Sequence, residues 1–489
     1  MSTLTAPSAL TGLEPAALWN YFAELSRIPR ESKNEQRAGD FVVRVARELG
    51  LKFDRDAAGN VVVRKPASAG HAGAAAVCLQ GHLDMVCVAR PGKRHDFTKD
   101  PIELVRTGDE LGTDGTTLGA DNGIAVATML AIAADRTLVH GPLELLFTVD
   151  EETGLTGAHQ LEPRLLSART LINLDTEEIE TLCVGCAGGR DTTGTWALAC
   201  EPVRAGSAAL EVRVTGLKGG HSGVEIHTGR ANAIKLLNRV LLDLLPLDAR
   251  IARLEGGAKR NSIPALAAAV VCVPKAKLAE ARARVAEMCG VLRDEFAIVE
   301  PGLDVSAEPA KSRPTRVYTR TFQRRIQRVL SALPHGVIQQ SAAIPGLVET
   351  STNVAVLTQT PRALTLATSQ RSMAASEIHE IIDTVTAVLE LGGAEVSGTD
   401  GYPGWKPDMG SHVLAVAVAA WRELLGREPV VQAVHAGLEC GIIGEKFPGM
   451  DMVSLGPTIH GAHSPQECVN IPSVERYWAG LLQVLERLG

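Results

Sequence analysis

Apolar residues recur at helical spacing in two stretches near the start of the chain, 15–29 and 34–50, the second through Phe41, Val42, Val45 and Leu49. Beyond them, short apolar runs alternate with helical stretches. Ala76–Gln80, Leu143–Val149 and Leu171–Leu174 are compact enough for buried strands, and Gly123–Ala134 has the length and small residues of a buried helix. This alternation predicts an α/β sheet with crossover helices.

The rhythm changes at about residue 205. Leu210–Val214 alternates like a half-exposed strand, and Ile234, Leu237, Val240, Leu241 and Leu244 mark one face of a helix. Ala265–Val273 and Ala276–Val291 repeat strand then helix, and Arg320–Leu333 and Ile378–Leu391 are further helices. After about residue 395 the first rhythm returns, with a strand at Met452–Leu455 and a last helix through Val474, Tyr477, Leu481 and Leu485. The expected organisation is two domains. One is α/β and discontinuous, 1–205 plus 392–489; the other is an α+β insertion, 206–391. The proline-containing stretch 301–316 reads as the most linker-like piece.

Composition narrows the function. At 489 residues the chain has length for more than one core. Forty-nine basic against 56 acidic residues give a net charge of −7, so no nucleic-acid partner is expected. Eight Phe, five Trp and four Tyr supply few rings for stacking on bases. No apolar run approaches the ~18 residues of a membrane helix, so no membrane partner is expected either. No Lys or Arg precedes Arg27, whereas Glu14 and Glu24 do, which is unlike a secretory signal. Nine scattered cysteines fit a reducing compartment better than a disulfide framework, and the expected location is cytoplasmic. Cys183 and Cys186 have redox or zinc spacing but no second pair, and the adjoining Gly-rich run lacks the GK[ST] of a phosphate loop.

The informative residues are polar groups beside predicted strand ends. His82 and Asp84 follow the run 76–80 and, two apart on an extended backbone, point the same way. Asp121 precedes a helix in a Gly-flanked segment, where capping is the plain alternative. Three consecutive acids, Asp150, Glu151 and Glu152, stand where an apolar strand stops, and their repulsion calls for cations. Asp175 follows 171–174, and His460 and His463 follow 452–455. Sheets of this type bind ligands at the carboxyl ends of their strands, so these groups are expected at one site. Imidazoles and carboxylates without thiolate suit Zn, Mn or Co. Five ligands, His82, Asp121, Glu152, Asp175 and His463, are too many for one catalytic ion and suit two sharing a bridging carboxylate. Three carboxylates with one hydroxide would neutralise two divalent ions. Glu151 is left to take a proton from a bridging water, and Asp84 to hold His82 through its other ring nitrogen.

GHLDMV (81–86), LGADNG (118–123), DEETG (150–154), the NLD ending at Asp175, GGHSG (219–223) and AHSPQE (462–467) resemble the successive site motifs of the M20 family of co-catalytic zinc peptidases. HDFTKDPIEL, TTLGADNGIA, GCAGG, LKGGHSGVEIH, GYPGW and HAGLECGI resemble its aminoacyl-histidine dipeptidase branch. The similarity runs from about residue 15 to the C-terminus. It implies a zinc-peptidase-like catalytic α/β domain with an inserted lid and dimerisation domain, and hydrolysis of short Xaa-His peptides such as carnosine. It implies that His82 and Asp175 complete one metal site, Glu152 and His463 the other, with Asp121 bridging. Glu151 would be the general base and then acid, and Asp84 the orienting acid. His221 would stabilise the oxyanion, from its own subunit or a partner's. Arg371 would clamp the substrate carboxylate, Asn261 would contact substrate, and His435 and Glu439 would shape the pocket. His460 is the rival of His463. A sister activity, as tripeptidase, carboxypeptidase or N-acyl amino acid deacylase, would share the metal residues.

Overall fold

The computed structural model describes residues 8–489. The chain divides into two compact units, one formed by Met1–Gly185, Trp405–Ala433 and Leu438–Gly489, the other by Cys186–Gly404 and Val434–Gly437.

The first unit is built on an eight-stranded sheet in the order 52–55, 61–65, 143–148, 77–82, 170–173, 451–454, 181–186, 430–434. Four adjacent strands, Leu143–Thr148, Val77–His82, Thr170–Asn173 and Asp451–Ser454, run parallel. The first two are buried at every residue. That is the environment of a sheet covered on both faces, and it explains why they read as continuous apolar runs. Helix Ala120–Ala134 is buried over nearly its whole length, which its Ala and Gly content allows by letting backbones approach closely. The last helix, Ile471–Leu488, starts where the Asn470 side chain accepts from Ser473 N and Pro472 occupies the first turn. A small sheet joins hairpin Leu104–Thr107/Glu110–Thr113 to Cys468–Asn470 and Ile459–His460.

The second unit carries a nine-stranded sheet in the order 304–309, 207–215, 267–274, 250–256, 348–359, 363–372, 188–197, 395–398, with 336–340 added on 348–359. Its strands pair antiparallel. Helices Ala233–Asp243, Leu278–Glu295, Arg320–Ala332 and Ala375–Leu391 supply apolar faces to its core.

Two local expectations are corrected. The stretch 301–316 is not a linker: Asp304–Pro309 pairs with Ser207–Thr215 and buries Val305 and Ala307, an alternation that its prolines and charges mask. The second unit runs from Cys186 to Gly404 rather than from 206 to 391, because Gly188–Ala197 pairs with Ala363–Ser372 along ten residues and Glu395–Gly398 adds to its other edge. It also takes in Val434–Gly437, so His435 belongs to it and not to the last catalytic segment.

Candidate metal centre

The four parallel strands end on one edge, and the polar groups singled out in the first unit collect there. His82 is the last residue of its strand rather than part of the loop beyond it. Glu151 and Glu152 follow Thr148 after a turn in which Asp150 adopts φ 51°, a left-handed conformation costly for a non-glycine residue. Asp150 is held there by Thr153 and Thr156 hydroxyls on its carboxylate and by Glu35 on its N–H. Asp121 stands at the non-helical start of this segment, at φ −77° and ψ 110°, but its carboxylate does not cap the helix.

Asp121 instead splits its oxygens. Oδ1 is 3.2 Å from His82 Nε2, and Oδ2 is 3.0 Å from His463 Nε2. His82 Nε2 also lies 3.5 Å from Asp175 Oδ1, and His463 Nε2 lies 3.0 Å from Glu152 Oε2. Two donor groups result, His82/Asp121/Asp175 and Asp121/Glu152/His463, each with its ligand atoms within 4.8 Å of one another. Glu151 forms a further such group with His82 and Glu152. His460 stands in none of them, so the geometry favours His463. The donor set fits a pair of divalent cations. Glu152 Oε1 is buried with no hydrogen-bond partner, and a lone buried carboxylate oxygen is costly unless a cation or donor meets it.

Asp84 is fully buried and organises the cluster from behind. Its oxygens accept from Glu151 N at 3.0 Å, Glu152 N at 3.2 Å and Ser32 Oγ at 2.8 Å, and Oδ1 lies 3.3 Å from His82 Nδ1. Burial opposes its ionisation, but His82 and these donors bring its carboxyl down to about 2. It therefore stays a carboxylate that fixes the His82 ring. Glu151 is shifted the other way, well above the usual range, by burial first and by Asp175, Glu439 and Glu152. Glu439 is buried, with Oε2 taking hydrogen bonds from Gln80 Nε2 and the Thr148 hydroxyl, both at 2.6 Å.

Two contributors were not singled out in the sequence, although Asn122 lies inside the LGADNG motif. Asn122 donates to Asp175 Oδ1 at 2.8 Å and accepts from His82 N at 3.1 Å, tying two strand ends together. Arg30 is 2% exposed and donates to the carbonyls of Leu83, Asp84 and Gly119. Their partners lie 40 to 89 residues away in sequence, and most are backbone groups.

The remaining residues singled out in the sequence lie in the second unit. His221 Nδ1 accepts from the N–H groups of Gly223 and Val224, at 3.2 and 3.1 Å, which puts the ring hydrogen on Nε2. Asn261 is exposed, and its carbonyl accepts from Ser222 N at 2.9 Å beside His221. Arg371 is buried in strand Ala363–Ser372. Its Nη1 donates to the Tyr402 hydroxyl at 2.9 Å and its Nε has no partner. His435 Nε2 is 2.7 Å from Ser351 Oγ. Burial, then Arg371, lowers the pKa of His435 to about 3 and also lowers that of His221, so both rings are neutral. Tyr402 was missed in the sequence, where only its GYPGW motif stood out.

Comparison with known proteins agrees with this geometry. The family described as Peptidase family M20/M25/M40 matches residues 78–487. The cytosol non-specific dipeptidase of Escherichia coli is 41% identical over 491 residues, covering 98% of this chain and 99% of that one. The crystal structure of an aminoacylhistidine dipeptidase from Vibrio alginolyticus superposes with a TM-score of 0.91 at 38% identity, over 98% of each chain. Aminopeptidase PepT from Bacillus cereus shares the fold, with a TM-score of 0.57 at 17% identity over 97% of this chain and 99% of that one.

Proposed function

The chain belongs to peptidase family M20/M25/M40, and from that premise we propose that it is a metal-dependent dipeptidase acting on carnosine-like Xaa-His substrates. His82 and Asp175 would hold one divalent cation, Glu152 and His463 the other, and Asp121 both. The observation that carries this reading is Asp121, which stands in both donor groups with one oxygen toward each histidine. Such a pair of cations supplies Lewis acidity that polarises a carbonyl and makes water a nucleophile near neutral pH.

The chain's own residues do the rest. Glu151 takes the proton of the attacking water and delivers it to the leaving nitrogen as the C–N bond breaks. Asp84 keeps His82 in one tautomer and fixes the backbone of Glu151 and Glu152. His221 donates from Nε2 to the oxyanion, a role its Nδ1 contacts favour. Arg371 takes the free substrate carboxylate, and its partnerless Nε supports that role. Asn261 and His435 line the substrate's surroundings.

Imidazole and carboxylate donors favour zinc, with cobalt and manganese as substitutes. No helix among the described residues is long and apolar enough to cross a membrane. With the cytosolic Escherichia coli relative, that supports a cytoplasmic place of action. Pairing of two chains through the insert belongs to the same proposal and is read by sedimentation.

The deciding experiment is turnover of carnosine with and without chelator, followed by add-back of zinc, cobalt or manganese. Undiminished hydrolysis after stripping would refute the reading. A broader dipeptide range is the second reading, favoured by the non-specific Escherichia coli relative. A panel of β-Ala-His, other dipeptides, tripeptides and acetyl-amino acids separates these possibilities and the sister activities.

A further inference from the structure

Glu467 lies in the same turn as His463, four residues on, and is 3% exposed. One of its oxygens accepts from Leu118 N and Gly119 N, at 2.7 and 2.9 Å, and the other from Ala120 N and Asp121 N, at 2.7 and 3.2 Å. Four successive amides thus converge on one carboxylate where the chain enters helix Ala120–Ala134. On the carbonyl side of the same loop, Arg30 donates to Gly119 O and, through its other nitrogen, to Leu83 O and Asp84 O.

The surrounding topology fixes this meeting. Strand Cys468–Asn470 pairs with Glu110–Thr113, so the turn before one and the segment after the other leave the small sheet side by side. The turn is closed on itself by Ser464 N to Gly461 O at 3.2 Å and Glu467 N to Ser464 O at 3.0 Å. The segments that present Asp121 and His463 are therefore tied into one body by a single side chain.

We infer that Glu467 is a positioning residue that sets the Asp121 carboxylate between His82 and His463, with Arg30 as the opposing charge on the same loop. The inference rests on the reading of Asp121 and His463 as cation ligands. Asp121 serves two groups only if both its oxygens keep fixed directions, and its backbone is immobilised just ahead of its side chain by the amides that Glu467 receives. A carboxylate is required because all four partners are donors. A glutamine would accept on one oxygen and turn its NH2 against the amides facing the other.

The test uses the full chain, stripped with chelator and titrated with zinc by calorimetry, as parent, Glu467→Gln, Glu467→Asp and Asp121→Ala. Glu467→Gln is expected to bind zinc ~10- to 100-fold more weakly. At limiting zinc its kcat for carnosine falls with KM unchanged, and excess zinc restores it, a rescue that general loss of packing would not give. Should Glu467→Gln fail to fold, Glu467→Asp, which keeps the charge on a shorter arm, is expected to show a smaller weakening of the same kind. Parent zinc affinity in whichever variant folds overturns the inference. Loss of an ion in Asp121→Ala alongside parent affinity in Glu467→Gln overturns the positioning role alone. Retention of both ions in Asp121→Ala overturns the metal-site reading on which it rests.

Discussion

Glu151 and Glu152 are neighbours whose backbone amides share one acceptor, Asp84, yet only Glu152 reaches His463. Both lie with His82 in one possible donor group, so chemistry must separate base from ligand. Glu151→Ala is expected to keep both cations by elemental analysis and to lose ~10²- to 10⁴-fold in kcat; loss of a cation would reassign it as a ligand. Tyr402→Phe removes the hydroxyl that steadies Arg371 and is expected to raise KM roughly tenfold with little change in kcat, measured by steady-state kinetics. The residue types of the candidate centre were legible because few arrangements place acids and histidines repeatedly after apolar strands. Arg30, Asn122, Tyr402 and Glu467 were not singled out, because their value lies in distant partners, and an Arg or Glu destined for a backbone carbonyl or amide looks like any other.

At the scale of elements, parallel strands and amphipathic helices were readable within a few residues, since burial on both faces or on one stripe leaves a plain pattern. The long strands Val348–Gln359 and Ala363–Ser372 were not. They bury Thr350, Ser351, Thr352, Asn353, Thr368, Gln370 and Arg371, and this polar content hides a strand signal. Some of those groups pair within the two strands, as where Gln370 Nε2 reaches Thr352 and Thr368 hydroxyls, and others reach outside them, as Ser351 to His435 and Arg371 to Tyr402. The start of helix Ala233–Asp243 shows the same dependence on remote partners. Asn232 accepts from Ile234 N and Lys235 N, and donates to Val354 O and His335 Nδ1. His335 Nδ1 also accepts from Val354 N, and burial, then Lys235, lowers its pKa to about 4. Its folded pKa is below its unfolded value of 6.5, so the folded form resists protonation. This contribution to stability is complete above about pH 6.5 and is lost as pH falls toward 4, with a slope of up to ~1.4 kcal/mol per unit. Urea unfolding between pH 4.5 and 7, followed by hydrogen exchange in Val348–Gln359, should show that slope in the parent and a reduced one in His335→Gln.

For the whole molecule, every proposed cation ligand, from His82 to His463, belongs to the first unit, although they span most of the chain. Zinc added to stripped protein is therefore expected to raise the stability of that unit, by ~2.7 kcal/mol at a hundredfold excess over Kd. Hydrogen exchange should report new protection in 77–84, 118–123, 150–154 and 461–467, and none in the core strands of the second unit; uniform protection would refute this. Burial patterns and donor chemistry are local properties of residues, so the strand–helix order, the insertion and the acid and histidine side chains of the candidate centre were legible along the chain. Only the folded chain shows where the insertion begins and ends, and which buried Arg, Asn and Glu hold the loops in place. Those outcomes depend on which strand ends a parallel sheet brings together, and on hydrogen bonds between residues far apart in the chain.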